Sequence, residues 1–229
     1  MRTTPTAVTA ALACWIMAVA MTGCAGGSAS KPVSAGQMLD DANATMRGLR
    51  SVTIDSVTRP TGGGDRSSRL TTDLKGTCTF EVTSDTGARL DQIRIDGTDY
   101  VRPNRAYLKE WDRSAVGVGE QGFWFRTPVS ASRQGDGLAQ CTHPFTSFGK
   151  VEKGGPTEVG GVAAMSLEVT DTTYGSYTFY VSTGDKPYLL KVVHKDAEVD
   201  TTTSFSAFDE PLDVHAPDEA KVLDLSDIG

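Results

Sequence analysis

The chain has 229 residues, of which 22% are charged, and a formal net charge of −7 at pH 7. This acidic balance, without a cluster of Lys and Arg, argues against a nucleic-acid-binding protein and against broad electrostatic adhesion to an anionic membrane. One domain is the simplest expectation, because a chain of this length can bury about 70% of its unfolded surface in one core.

The beginning of the chain has the pattern of a secretory signal. Arg2 provides a positive start, and residues 7–20 form an uncharged apolar run that is shorter than the roughly 20 residues needed to cross a bilayer. Met21-Thr22-Gly23-Cys24 then resembles the bacterial lipobox, in which the cysteine is acylated and becomes the new N-terminus. Met21 stands where that motif usually has Leu.

This pattern divides the chain into three parts. We predict a lipoprotein signal peptide over residues 1–23, and a flexible tether over residues 24–32 that begins with a lipidated Cys24. Residues 33–229 would then form a single domain. The alternative is ordinary secretion with cleavage near Ala25.

The residues after the tether predict an amphipathic helix. Ser34 with Gln37 has the spacing of a capping box, and Asp40 and Asp41 favour the positive N-terminal end of a helix. Apolar residues recur at helical spacing on one face: Met38, Leu39, Ala42, Met46 and Leu49.

Alternation of apolar and polar residues replaces the helical period after residue 50 and predicts strands joined by short turns. Asp96-Gly97 is a strong hairpin signal. Short turns between alternating segments indicate an antiparallel sheet. The alternation is visible at Val52–Ile54, Leu70–Leu74, Phe80–Val82, Ile93–Ile95, Met165–Val169, Tyr177–Val181, Tyr188–His194 and Thr201–Phe208.

Some segments have weaker patterns. Residues 107–111 fit a further strand or a strand-to-helix junction, and residues 217–225 fit a short closing helix. The segment 113–153 contains the aromatic run Phe123-Trp124-Phe125 and one possible helix around residues 144–148, but its pattern does not assign it.

The cysteines have different expected roles. Cys14 lies in the predicted signal peptide, and Cys24 is the lipidation candidate. Cys78 and Cys141 remain as an even pair in an exported chain, which predicts a disulfide bond. Without neighbouring His or Cys at ligand spacing, they do not indicate a zinc site.

The last third of the chain resembles a known group of proteins. The segments Tyr180-Val181, Asp185-Lys186-Pro187-Tyr188 and Phe205-x-x-Phe208-x-x-Pro211, together with the lipobox and the first helix, resemble actinobacterial lipoproteins related to LppX and LprG. The resemblance is best over residues 159–217 and extends to residues 33–111. It implies a LolA-like α+β fold that is mostly β. In that fold, a curved, half-closed antiparallel sheet wraps over an N-terminal helix and short helices. In some members an apolar cavity between sheet and helices holds acyl chains.

The sequence contains neither a Gly-x-Ser-x-Gly nor a His-Glu-x-x-His motif, and His143, His194 and His215 are scattered. We therefore expect a protein that is not an enzyme and that uses neither a metal nor a cofactor. An exported hydrolase with an unrecognised site is the least favoured hypothesis.

The apolar strand positions are the candidate functional residues, although packing in a core is the better expectation for any one of them. A curved sheet can still leave an enclosed space if side chains and covering helices do not fill it. If they line a cavity, the protein is a membrane-anchored, extracytoplasmic lipoprotein that binds a lipid or another apolar ligand. If they fill a core, it is an anchored, non-enzymatic interaction or sensor module. In both cases the expected partner is the cell membrane, through the acyl group, and not a nucleic acid. The candidates are Phe80, Ile93, Ile95, Tyr100, Trp111, Trp124, Leu167, Val169, Tyr177, Phe179, Leu190 and Val192.

Overall fold

The computed structural model describes residues 33–111, 121–131, 137–171 and 175–224. The predicted signal peptide, Cys24 and the tether lie outside these ranges. Among the residues described, no helix is long and apolar enough to cross a membrane.

Twelve strands and a few short helices make up the described chain. The α-helices are α1 (Ala35–Arg47) and α2 (Arg105–Glu110), and the 3₁₀ helices are Val129–Ala131, Gly137–Thr142 and Glu219–Lys221. The strands are β1 (Val52–Pro60), β2 (Arg66–Thr72), β3 (Cys78–Ser84), β4 (Arg89–Ile95), β5 (Thr98–Pro103), β6 (Trp124–Pro128), β7 (Lys150–Val159), β8 (Val162–Asp171), β9 (Gly175–Ser182), β10 (Leu189–Lys195), β11 (Val199–Ser206) and β12 (Val222–Asp224).

Helix α1 begins where the sequence predicts. The Ser34 side chain accepts a hydrogen bond from the backbone N–H of Gln37 at 3.1 Å, an N-cap that contributes about 1 kcal/mol. The Gln37 side chain donates to Asp41 at 2.6 Å instead of returning to Ser34, so only half of the capping box forms.

The apolar stripe of α1 holds the helix against the sheet. Leu39, Ala42 and Met46 are completely buried, and the helix packs against β7, β9 and β10. Burial of a Leu or Met side chain contributes roughly 1.5–3 kcal/mol, so this stripe supplies most of the docking energy of the helix.

The strands form one open sheet in the order β12-β6-β5-β4-β3-β2-β1-β11-β10-β9-β8-β7. The predicted α+β, mostly β fold with an N-terminal helix is confirmed. The prediction of a wholly antiparallel sheet is wrong at one edge, where β12 pairs with β6 in parallel. A hairpin imposes antiparallel pairing, but β12 reaches β6 through a long connection that leaves either direction available.

The register gives the sheet two different faces. Leu70, Phe80 and Gln92 are consecutive partners across β2, β3 and β4, so their side chains share one face, which we call the inner face. The neighbouring residues Arg69 and Glu81 lie on the opposite, outer face.

The 3₁₀ helix Gly137–Thr142, called here the 137–142 segment, crosses the inner face of β2, β3 and β4. Cys141 lies at disulfide distance from Cys78 on β3, with a Cα–Cα separation of 5.6 Å, which supports the predicted pairing. The Thr72 hydroxyl donates to the carbonyl of Cys141 at 2.5 Å, and Arg94 donates to the carbonyl of Leu138 at 3.2 Å. Covalent and polar contacts therefore fix this segment to the sheet.

The local turn chemistry agrees with one prediction and disagrees with others. Asp96 and Gly97 both have positive φ, 51° and 73°, as a two-residue hairpin turn requires. Residues 107–111 belong largely to helix α2 and not to a strand, because the Asn104 side chain caps that helix by accepting from Tyr107 N–H at 2.8 Å. Residues 144–148 contain no helix. Residues 217–224, the described part of the predicted closing helix, combine a 3₁₀ turn with β12.

Candidate functional site

The inner face of β2, β3 and β4 is only partly covered. A cavity of about 300 Å³ lies between these strands, helix α2 and the 137–142 segment, and we call it the α2 pocket. This volume is at the lower end of the range of about 300–1,000 Å³ that is typical of small-molecule sites. Its lining consists of Arg66, Phe80, Val82, Ser84, Ala88, Leu90, Gln92, Tyr107, Glu110, Trp111 and Gly137.

The floor of the α2 pocket is apolar and buried. Phe80 and Val82 alternate along β3, and Leu90 lies directly opposite Val82 on β4. Leu90 is 7% exposed, and Ala88, just before β4, is 3% exposed. An apolar ligand in this space would therefore leave water for a surface made largely of hydrocarbon.

The rim of the α2 pocket is polar and aromatic. Arg66 at the start of β2 forms an ion pair with Glu110 at the end of α2, at 2.9 Å. The Thr86 hydroxyl donates to the second Glu110 oxygen at 3.2 Å. Trp111 is 56% exposed, and its ring lies 6.0 Å from that of Tyr107. The charged groups thus lie at the solvent side and the apolar groups lie below them.

Asn104 holds helix α2 above the pocket. Its side-chain oxygen accepts from the backbone N–H groups of Tyr107, at 2.8 Å, and Arg89, at 3.0 Å. Its side-chain nitrogen donates to the carbonyl of Gly87 at 2.9 Å. One side chain therefore caps α2 and joins it to the hairpin between β3 and β4.

Several predicted cavity residues pack instead under α1. Leu167, Val169 and Phe179 are at most 5% exposed and belong to the same core as the apolar stripe of α1. Tyr177 and Val192 are partly buried against that core. This half of the inner face is filled by side chains.

Other candidates lie on the outer face. Ile93 on β4 pairs with Tyr100 on β5, so their side chains share one face of the sheet. That face is opposite to the one that carries the neighbouring Gln92. The guanidinium of Arg102 lies 4.5 Å from the centre of the Trp124 ring. Ile93 and Trp124 border an outer-face depression of about 250 Å³. Ile95 also lies on this face, and Leu190 lies at an irregularity in the register between β9 and β10.

Of the twelve candidates, the structure therefore places only Phe80 and Trp111 in the α2 pocket. Sequence reasoning missed Val82, Leu90, Tyr107 and the Arg66–Glu110 pair. Alternation with Phe80 was a signal for Val82. Leu90 faces the same space only because β4 pairs with β3 in this register, and local periodicity does not predict how strands pair.

A smaller cavity lies on the other side of Phe80. It measures about 120 Å³ and is lined mainly by polar side chains, and we call it the serine cavity. The half-buried ring of His143 borders it and packs edge-on against Phe145 at 4.8 Å. Burial lowers the pKa of His143, because the charged imidazolium would lose its hydration. The lining of this cavity consists of Ile54, Ser56, Ser68, Leu70, Phe80, Gln140, His143 and Thr203.

The chemistry of the α2 pocket suits non-covalent binding. Among the described residues, its lining offers aliphatic and aromatic surface, the paired charges of Arg66 and Glu110, the hydroxyls of Ser84 and Tyr107 and the amide of Gln92, with no His or Cys. Over the described ranges, no group of three or more His, Cys, Asp and Glu residues is placed to hold a metal ion.

Comparison with known proteins shows similarity of structure and not of sequence. No protein-family model and no curated protein sequence matches the chain. LppX, a lipoprotein from Mycobacterium tuberculosis, superposes with a TM-score of 0.51 and 10% identity, covering 79% of this chain and 97% of LppX. LprF from Mycobacterium bovis superposes with a TM-score of 0.50 and 13% identity, covering 80% of this chain and 96% of LprF. A LolA superfamily protein from Nitrosomonas europaea aligns over 83% of this chain with a TM-score of 0.29 and 11% identity. The chain therefore has the fold of LppX and LprF, as its resemblance to that group implied.

Proposed function

We propose that this protein is a membrane-anchored, extracytoplasmic lipoprotein that binds a lipid or another apolar ligand in the α2 pocket, without catalysis. The observation that carries the proposal is the α2 pocket itself, which combines a buried apolar floor with a charged rim. The similarity to the fold of LppX, which is itself a lipoprotein, supports the proposal.

The polarity of the pocket favours an amphiphile in one orientation. Along β3, the pocket runs from Ser84 to Phe80, which is about 13 Å at the rise of an extended strand. A polar group of the ligand would lie near Arg66 and Glu110, and its hydrocarbon would lie against Val82 and Leu90. Each buried methylene contributes about 0.8 kcal/mol, or roughly a fourfold gain in affinity.

The anchor would keep the domain close to the membrane. A Gly- and Ser-rich tether over residues 24–32 has a root-mean-square length of roughly 15–18 Å. Replacement of Cys24 by Ala should release the protein or leave it as an unprocessed precursor. Mature protein that is still extracted only by detergent would contradict acylation at Cys24.

One observation favours the alternative of an anchored interaction or sensor module. The inner face under α1 is filled, because Leu167, Val169 and Phe179 pack in the core where the cavity of a hollow fold was expected. In that case the α2 pocket would be a surface cleft without a bound lipid, and the partner would be another protein.

Native mass spectrometry with lipid extraction tests the choice. Mature protein purified from its own host should carry a bound mass that extracts as lipid. The Val82→Glu variant, which puts a charge on the pocket floor, should lose that mass. Thr83→Glu is the matched control, because the next residue of β3 faces away from the pocket. A bare protein mass that host lipids do not change would refute the proposal and favour the interaction module.

A further inference from the structure

Phe80 lies at the boundary between two inner-face cavities. Phe80 lines both the α2 pocket, of about 300 Å³, and the serine cavity, of about 120 Å³. Val82 and Leu90 lie on the side of the α2 pocket, whereas Ser68 and Leu70 on β2 lie on the side of the serine cavity. Because the side chain of Phe80 lies on the inner face, its ring lies where these two spaces adjoin.

The ring is held in place from above. A Cβ atom added to Gly137 would clash with the ring of Phe80 and would lie 2.8 Å from the side-chain oxygen of Gln92. The backbone of the 137–142 segment therefore lies directly on the ring. That segment is tied to the sheet at Cys141 and at Leu138. The ring therefore cannot move toward this segment unless the segment also moves.

The serine cavity is the smaller of the two and carries polar groups of its own. Beside the apolar Ile54 and Leu70, it presents the amide of Gln140 and the imidazole of His143. The hydroxyls of Ser56 and Thr203 hydrogen-bond to each other there at 2.9 Å. A hydrocarbon chain would have to pass the ring and then replace the water around these polar groups, which costs free energy.

We propose that Phe80 is a specificity-determining residue that limits the length of the hydrocarbon chain that the α2 pocket accepts. This inference rests on the proposed function, because it requires that the pocket bind an apolar chain. Beyond the proposed function, it specifies that the ligand is a short or single-chain amphiphile whose apolar end stops at Phe80.

A series of straight-chain carboxylic acids of increasing length tests this limit. Mature protein kept soluble by an amphipathic polymer is titrated with each acid, and the affinity is plotted against chain length. For the wild type, affinity should rise about fourfold per methylene and then reach a plateau. Phe80→Ala vacates the space of the ring, which two more methylenes can occupy, so its affinity should rise by a further fourfold to roughly 15-fold over those two methylenes.

Two further variants distinguish the effect of removing the Phe80 ring from the effect of a general loss of packing. Phe125 on β6 also lies on the inner face, but it lines neither cavity. The plateau of Phe125→Ala should therefore match that of the wild type. Phe80→Leu opens a smaller gap and should give an intermediate shift, even if Phe80→Ala folds poorly.

The outcomes distinguish this inference from the proposed function. If the wild type binds the acids but neither Phe80 variant moves the plateau, the inference is overturned and ligand binding in the pocket stands. An equal shift in Phe125→Ala would also overturn it. If no acid binds to the wild type or to any variant, both the inference and the proposed function fail.

Discussion

The Cys78–Cys141 pair is predicted to carry a large share of the stability of the fold. The bond would close a loop with a sequence separation of 63 residues. In the chain-entropy account, such a loop raises the free energy of unfolding by about 4 kcal/mol. For a domain of this size, that loss corresponds to a fall of roughly 8–16 °C in Tm. The perturbation is the double variant Cys78→Ala/Cys141→Ala.

Urea and thermal unfolding, followed by circular dichroism, would measure the loss. Reduced wild-type protein is the matched comparison, because it lacks the bond but keeps every side-chain atom. Both proteins should lose a similar amount, with a small extra loss in the variant because Cys78 and Cys141 are completely buried. A loss below about 1 kcal/mol, or two free thiols in exported wild-type protein, would refute the reasoning.

Three further predictions concern the packing around the same region. Asp99→Asn breaks an ion pair in which the Asp99 side chain is 1% exposed, and it should cost about 3–5 kcal/mol in a urea titration. Asp55→Asn, in an exposed pair, should cost less than about 1 kcal/mol; similar losses would contradict the role of burial. Gly137→Ala should lower stability by about 1–3 kcal/mol, whereas Gly155→Ala has open space at its Cβ position and should not. His143 has a lowered pKa, so the unfolded chain binds the proton more readily. The associated stability is therefore fully present above pH 6.5, decreases as the pH falls below that value, and is lost below the lowered pKa of the folded protein. His143→Gln should flatten this slope, and an unchanged pH profile would count against the assignment.

Local patterns predicted much of the secondary structure. The Ser34 cap and the stripe of Leu39 and Met46 specify α1, because capping and helical spacing act within a few residues. The Asp96-Gly97 turn is equally local, since its two residues tolerate positive φ. The pattern at residues 107–111 left a strand and a strand-to-helix junction both open, because the six residues of α2 show little periodicity. The cap of α2 at Asn104 also binds Arg89 and Gly87 on a neighbouring hairpin.

The candidate site required information that no single strand contains. Phe80 and Ile93 look equivalent in the sequence, since both alternate with polar residues. The register places Phe80 beside Gln92 on the inner face and Ile93 beside Tyr100 on the outer face. A shift of one residue in pairing would exchange these faces.

The close approach of Cys78 and Cys141 and the mostly β composition could thus be predicted from short patterns or a count, whereas the exported anchor at Cys24 stays a prediction. Whether apolar side chains fill a core or leave a pocket depends on which elements cover them. Helix α1 covers and fills one half of the inner face. The 137–142 segment and α2 leave a space over the other half. That difference arises from packing between distant parts of the chain, so only the tertiary structure decided where a ligand could bind.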